Sequence, residues 1–287
     1  MKPLHLSVGR INIDIIAKIN KIPDIDEFET TDTLEILPGG AAVNYAVAIN
    51  KFGHSIKILS KIGKDSLVSY VLERIAEMGV GLDYVEETNL PQSMALIFLR
   101  DNGSISMVRK LGSSILLDKE DIKKVFGLFD VIHFASISPD IVVRDPYAKL
   151  ITYDPGPNSS KIPENFGNAD IIYLNEREST KVKIESLKAR LIVIKMGSKG
   201  AKVISENEEC YCEPYKVQTV LDTTGAGDVF DAAFNYAYVQ GYSIEDTLRF
   251  AVTASALKVM RIGGINSPTR EEVMNALNAY TPNTKCK

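Results

Sequence analysis

Ile171-Ile172-Tyr173-Leu174-Asn175 and, one short segment later, Leu191-Ile192-Val193-Ile194-Lys195-Met196 are apolar at nearly every position. Short, continuous apolar runs rich in β-branched residues are how strands buried on both faces of a parallel sheet read. The same texture recurs at Leu4–Gly9, Ile56–Ile62, Val131–Ala135 and Leu150–Asp154. Between these runs, Ala41–Phe52, Leu67–Met78, Lys119–Phe129 and Glu178–Val182 carry helical spacing. Repeated strand–helix alternation predicts a parallel α/β sandwich with right-handed crossovers. The C-terminal third turns helical at Asp228–Gln240, Ser243–Arg261 and Thr269–Tyr280, each opening near Asp, Ser or Thr.

Two regions break the alternation. Ile11–Ile22 and Glu29–Leu37 read as extended segments joined by a turn around Pro23–Asp26. Met94–Arg100 and Ser104–Lys110 flank Asp101-Asn102-Gly103, a strong hairpin signal. Four antiparallel strands beside a parallel sandwich predict a small flap, spanning about residues 12–37 and 92–110, that closes over substrate. Apolar positions on those strands would support pairing of two copies through the flap.

The chain has 287 residues, 45% hydrophobic and 24% charged, with 33 Lys and Arg against 37 Asp and Glu for a net charge of −4. That composition excludes a disordered chain, and its slight acidity gives no support for nucleic-acid binding. No apolar run reaches the ~20 residues that cross a bilayer. The N-terminal stretch reads directly into structure rather than as a secretion signal. The expectation is a cytoplasmic protein of one domain over residues 1–287, with no membrane partner. The three cysteines, Cys210, Cys212 and Cys286, are expected to be ordinary thiols, because an odd count in a chain this long makes no disulfide framework. His5, His54 and His133 are too widely spaced for a zinc site, and His133 reads as a core histidine.

The sharpest chemical signal is Leu221-Asp222-Thr223-Thr224-Gly225-Ala226-Gly227-Asp228, running straight into a helix. Small residues let the backbone turn tightly and present consecutive N–H groups at a helix N-terminus, which suits anionic oxygen. Asp228, in the first turn, could accept a proton from an attacking hydroxyl. Gly39-Gly40-Ala41-Ala42-Val43-Asn44 places a glycine pair before a helix that carries an amide one turn in. The glycines allow close backbone approach to a ligand, and Asn44 can donate to and accept from hydroxyls. In Asn12-Ile13-Asp14, strand alternation puts Asn12 and Asp14 on one face. No Gly-x-x-Gly spacing follows Gly9, which excludes a dinucleotide-binding first strand.

In order and over essentially the whole chain, these motifs resemble the PfkB or ribokinase-like sugar and nucleoside kinases. The resemblance implies a ribokinase-like three-layer α/β/α sandwich with a small β-lid, and ATP-dependent phosphorylation of a sugar or nucleoside hydroxyl. Asp228 would be the catalytic base, with the backbone of Gly225, Ala226 and Gly227 as the anion hole. Asn12, Asp14, Gly39, Gly40 and Asn44 would face the substrate. Asn175 and Glu178 would hold Mg²⁺ through waters near the phosphates. Lys195, Gly197, Ser198 and Gly200 would cradle the nucleotide, with Lys195 where the family usually has Thr, and Thr253 and Ala254 would border the adenine. Asp222, Thr224, Gly263 and Ser267 sit where many relatives bind a monovalent cation such as K⁺. The overall pattern looks most similar to archaeal-type nucleoside kinases. It is also compatible with ribokinase, 2-keto-3-deoxygluconate kinase or a sugar-phosphate kinase, for which Arg10, Arg100, Arg109 and Lys110 could hold the phosphate. A reading of another class is a catalytically silent sugar or nucleoside sensor on the same fold.

Overall fold

The computed structural model describes residues 2–287. Its main sheet has ten strands. Seven run parallel in the spatial order β5 (Gly81–Pro91), β4 (Ser55–Lys64), β1 (Leu4–Gly9), β8 (Val131–Ala135), β9 (Leu150–Asp154), β10 (Ile171–Asn175) and β11 (Leu191–Lys195). Three antiparallel strands, β12 (Ala201–Ile204), β13 (Glu209–Cys212) and β14 (Thr284–Cys286), complete the far edge.

The continuous apolar runs are explained by cover on both faces. Ile171, Tyr173, Leu191 and Val193 point into one core, Ile172, Leu174, Ile192 and Ile194 into another. The first core is roofed by α1 (Ala41–Phe52), α5 (Ala226–Val239) and α6 (Ile244–Lys258), with α2 (Val68–Glu77) and α7 (Arg270–Ala279) at its margins. The second is roofed more thinly. There α3 covers only Lys119–Lys123, opened by a capping box on Asp118, and the rest of the expected Lys119–Phe129 helix is a series of turns that still buries Val125 and Phe129. The second short helix, α4 (Glu176–Ser179), also starts with a capping box.

The flap is a four-stranded sheet in the order β3 (Leu34–Gly39), β2 (Asn12–Lys18), β6 (Met94–Leu99) and β7 (Ile105–Lys110). It is mixed rather than wholly antiparallel, since β2 runs parallel to β6. The reason is connectivity: β4 and β5 of the main body, with α1 and α2, come between the two halves, so β6 enters from the same side as β2. Ile16, Ala95, Ile97 and Leu99 bury its inner face. The Asp101–Gly103 hairpin tip reaches the main body, where the Gly103 carbonyl accepts from the Thr223 N–H at 3.4 Å and Thr223 Oγ1 at 3.2 Å.

Two edge strands are absent from the sequence reading. β5 carries Asp83, Glu86 and Glu87 on an open edge, so it lacks the unbroken apolar texture of its neighbours. β14 is only three residues long, and it corrects the cysteine expectation. Its antiparallel register sets Cys286 directly opposite Cys210, with Cα atoms 4.0 Å apart, and the two form a disulfide; Cys212 alone is a buried free thiol. His133 is a core histidine, bonded to Thr152 Oγ1 at 2.8 Å and stacked on Tyr45. Among the described residues, no helix is long and apolar enough to cross a membrane.

The disulfide closes a 76-residue separation, so it stabilises chiefly by restricting the unfolded chain. Thiol titration of the denatured, unreduced protein should find one reactive cysteine, and three after reduction. Cys286→Ser should lower Tm by about 4 °C or more, the effect of losing ~2 kcal/mol in a chain of this size. Three free thiols before reduction would refute the pairing.

Candidate active site

The carboxyl ends of the parallel strands and the N-termini of α1 and α5 converge, and most of the residues singled out in the sequence meet there. α5 begins at Gly225, whose φ of 75° no side chain adopts cheaply, and Asp228 lies in the first helical turn. Asn44 Nδ2 donates to Asp228 Oδ2 at 2.8 Å across 184 residues of sequence. The contact is possible because glycines surround it. A methyl at Gly225 would lie 2.8 Å from Gly264 Cα and 3.1 Å from Asn44 Nδ2, and one at Gly264 would lie 2.7 Å from the same nitrogen. Burial pushes the Asp228 carboxyl up to about 7, against the opposing pull of the Asn44 amide.

Asp14 is almost fully buried on β2, and its Oδ1 has no hydrogen-bond partner. Burial, and then the charges of Asp228 and Asp222, raise its carboxyl to about 7 as well. Gly39, opposite Asn12 in the flap register, leaves the space into which the Asp14 carboxylate fits. Gly40 has a φ of 96°, and its carbonyl accepts the Val43 and Asn44 N–H groups that open α1. The glycine pair therefore makes room for Asp14 and starts the helix that carries Asn44.

A cavity of about 1010 Å³ is lined by Asp228 but not by Asp14. Gly197, Ser198 and Gly200 line one wall, Pro214, Tyr215 and Val217 another. The third wall is α6, but through Val252, Ser255, Ala256 and Val259 rather than Thr253 and Ala254. Positions 252, 255, 256 and 259 form one helical stripe, whereas Thr253 and Ala254 are fully buried off that face. Asn12, Asp14, Gly39, Gly40 and Asn44 lie beyond Asp228, outside the cavity.

Lys195 also lines the cavity, with its charge engaged by two carboxylates. Its ammonium bonds to Asp154 Oδ2 at 2.7 Å and to both oxygens of Asp231 at 2.9 and 3.0 Å. It also lies behind the 225–227 segment, since a methyl at Gly227 would lie 3.3 Å from its Nζ. Burial works against the Lys195 charge, but Asp154 and Asp231 hold the ammonium well above its ordinary range. Burial likewise opposes charge on Asp154, yet Lys195 keeps that carboxyl low. Asp231, wholly buried, is pushed up by desolvation. Asp231 escaped the sequence reading, although it follows Asp228 by three residues and so shares its helix face.

Asn175 and Glu178 border the cavity and cap α4 reciprocally, Asn175 Oδ1 accepting from the Glu178 N–H at 2.8 Å and Glu178 Oε2 from the Asn175 N–H at 2.9 Å. Burial, followed by the Asp154 charge, raises the Glu178 carboxyl. Asp222 spends both carboxylate oxygens on backbone amides, Oδ1 on Thr224 at 2.8 Å and Oδ2 on Gly263 at 2.7 Å. The Ser267 carbonyl accepts from Lys51 at 2.9 Å and Arg261 at 3.0 Å. Lys258, fully buried beside Asp222, was missed in the sequence, where its only signal is a lone charge inside an apolar stretch.

The family model for pfkB family carbohydrate kinases matches residues 2–271. Ribokinase of Arabidopsis thaliana is 28% identical over 307 aligned residues, covering 96% of this chain and 81% of that protein. Nucleoside kinase of Methanocaldococcus jannaschii is 28% identical over 295, covering 95% and 96%. The solved structure of Arabidopsis thaliana ribokinase complexed with ribose and ATP matches with a TM-score of 0.79 at 26% identity, covering 96% of this chain and 99% of that one. With its motifs in family order and the match spanning the sheet, the flap and the α5 loop alike, the chain belongs to the pfkB family of carbohydrate kinases.

Proposed function

We propose that this protein transfers the γ-phosphoryl group of ATP to a hydroxyl of a sugar or of a nucleoside ribose, with Asp228 as the base. The carrying observation is Asp228 itself, raised to about 7 at the head of α5 and held by Asn44 through one oxygen. Its other oxygen takes the acceptor hydroxyl proton as the phosphoryl group arrives. The N–H groups of Gly225, Ala226 and Gly227, with the α5 N-terminus and the Lys195 ammonium behind them, stabilise charge on the transferring group. Asp14 and Asn12 orient the acceptor from the flap side, and the unpartnered Asp14 Oδ1 takes a ligand hydroxyl. The adenine lies against the α6 stripe and Val217, and the phosphates run past Gly197 and Ser198 to Asp228. We place the reaction in the cytoplasm, where it draws on the ATP pool.

Asp154, Glu178 and Asp228 face this cavity, and the Lys195 charge is already taken up by its two carboxylates. A polyphosphate entering so acidic a wall needs an accompanying divalent cation, and the Asn175–Glu178 pair fits it, each side chain keeping polar atoms beyond its cap bond. Mg²⁺ there would neutralise the phosphate oxygens during transfer.

Arg10 and Arg109 favour a phosphorylated acceptor as a second reading. Asp14, Ala95 and Arg109 form one row across the flap, so Arg109 shares the acceptor face with Asp14. Burial and then the Arg109 charge lower Arg10, an unfavourable closeness that an anion between the two would relieve. A panel of nucleosides, ribose, 2-keto-3-deoxygluconate and sugar phosphates decides between them, and only a sugar phosphate should lose affinity on Arg109→Ala. We also propose that two copies pair through the outer flap face, where Leu34, Ile36, Leu96 and Val108 remain exposed.

Asp228→Asn should cut turnover by about 10²–10⁴-fold with ATP binding kept, the usual weight of a positioned base. Because burial disfavours its ionised form, the same variant should melt no lower than the parent at pH 8. The base must be deprotonated, so kcat/KM should rise with pH through about 7 and be lost below it; a profile flat from pH 5 to 8 would overturn the assignment. In light scattering the parent should run as a dimer and Val108→Asp as a monomer with its secondary structure intact. A monomeric parent would remove the flap interface.

A further inference from the structure

The loops that hold the anion hole contain an internal ammonium. Lys258 ends α6 with its side chain wholly buried, and its Nζ donates to the Asp222 carbonyl at 2.9 Å and the Arg261 carbonyl at 3.1 Å. The Asp222 carboxylate lies 3.8 Å away as its counter-charge. Two carbonyls and a carboxylate around one positive charge make the donor set a monovalent cation would use.

Asp222 and Ser267, two of the four residues expected to bind such a cation, spend their oxygens on partners within the protein. Both oxygens of the Asp222 carboxylate receive backbone amides, the Asp222 and Arg261 carbonyls receive Lys258, and the Ser267 carbonyl receives Lys51 and Arg261. The hydroxyls of Thr224 and Ser267 are left without partners, but two hydroxyls do not form a charged cage. The charged member of the expected set, the Asp222 carboxylate, is thus satisfied by two amides and the Lys258 ammonium, and what remains suits K⁺ poorly.

We propose that Lys258 replaces the monovalent cation: a covalently tethered ammonium binds the 222–228 loop to the 259–264 loop and makes phosphoryl transfer independent of K⁺. The inference rests on the kinase reading above. Lys258 touches neither substrate nor phosphate and is a positioning residue. Its reach to the anion hole is short. The Asp222 carbonyl it holds is three residues before Gly225, and Gly225 packs directly on Gly264. Leu221 and Asp222 also donate their N–H groups to the Val259 carbonyl at 2.7 and 3.1 Å, so the two loops move as one unit. The carboxylate counter-charge of Lys258 at 3.8 Å favours the ammonium form against the cost of burial.

The test compares the whole protein in chloride salts of K⁺, Na⁺ and N-methyl-D-glucamine at equal ionic strength, which holds screening constant. Two quantities are read in each, turnover on whichever acceptor the panel identifies and the thermal midpoint. The parent should turn over within ~2-fold in all three salts and melt at one temperature, since its cation is built in. Lys258→Ala, which opens space beside the two carbonyls, should lose about 10-fold or more in N-methyl-D-glucamine, the scale of a missing electrostatic support. K⁺ or methylammonium should restore much of that turnover and raise the variant's midpoint. A merely structural lysine would leave a variant that no cation rescues, and this result overturns the proposal. So does activation or thermal stabilisation of the parent by K⁺, a measurement that stands even if the variant fails to fold. Absence of turnover on every acceptor, with the parent's midpoint indifferent to K⁺, would count against the kinase reading and leave the built-in cation supported.

Discussion

The ion pair of Lys195 with Asp154 and Asp231 is the contact on which the site depends. It ties the carboxyl ends of β9 and β11 to α5, three elements that sheet hydrogen bonding alone does not hold in one geometry. Each of these charges is costly to bury alone, and removing one partner from such a cluster typically costs ~3–5 kcal/mol. The cluster fixes where α5 starts, and the helix start fixes Asp228 and the three amides before it. Asn235, one turn further along, repeats the tie with neutral groups, donating to Tyr45 and Thr152 at 2.9 Å and accepting from Tyr173 at 2.7 Å. The helix that carries Asp228 is thus anchored to the sheet by polar contacts of graded strength, with the charged one nearest Asp228.

Around that anchor, acidity is concentrated rather than avoided. Asp14, Asp228, Asp231 and Glu178 all sit where burial and neighbouring carboxylates raise them. Such crowding is destabilising for the free protein and is the usual mark of a site built to receive cations and exchange protons. The two buried ammoniums answer it from behind, Lys195 beneath Gly227 and Lys258 beneath Asp222, neither facing the acceptor.

The sequence revealed the interior strands because both of their faces are covered, and Leu4–Gly9, Val131–Ala135, Leu150–Asp154 and Ile171–Asn175 fall at the bounds read from it. Edge strands have no such texture: β5 is half polar and β14 too short to show a period. The Cys210–Cys286 link was hidden for the same reason, because it depends on β14. The motif glycines and Asp228 were visible as rigid punctuation before a helix. The α6 wall was not, because an apolar cavity and an apolar core ask for the same residues: Val252 and Ala256 face the cavity, Ala251 and Ala254 the core, and no period separates them. The roles of Lys195 and Lys258 depend on partners 41 and 36 residues away, which local pattern does not encode.

The docking of the hairpin tip on Thr223 gives the flap a second role. Gly103 accepts both the amide and the hydroxyl of the residue two positions before the anion hole, so opening the flap removes two bonds from the loop that must hold the phosphoryl group. If the flap opens to admit an acceptor, acceptor entry and phosphate grip would share a single mechanical coordinate. Under the proposed reaction this contact would act as a coincidence gate, the nest reaching its working shape only once the acceptor side is sealed.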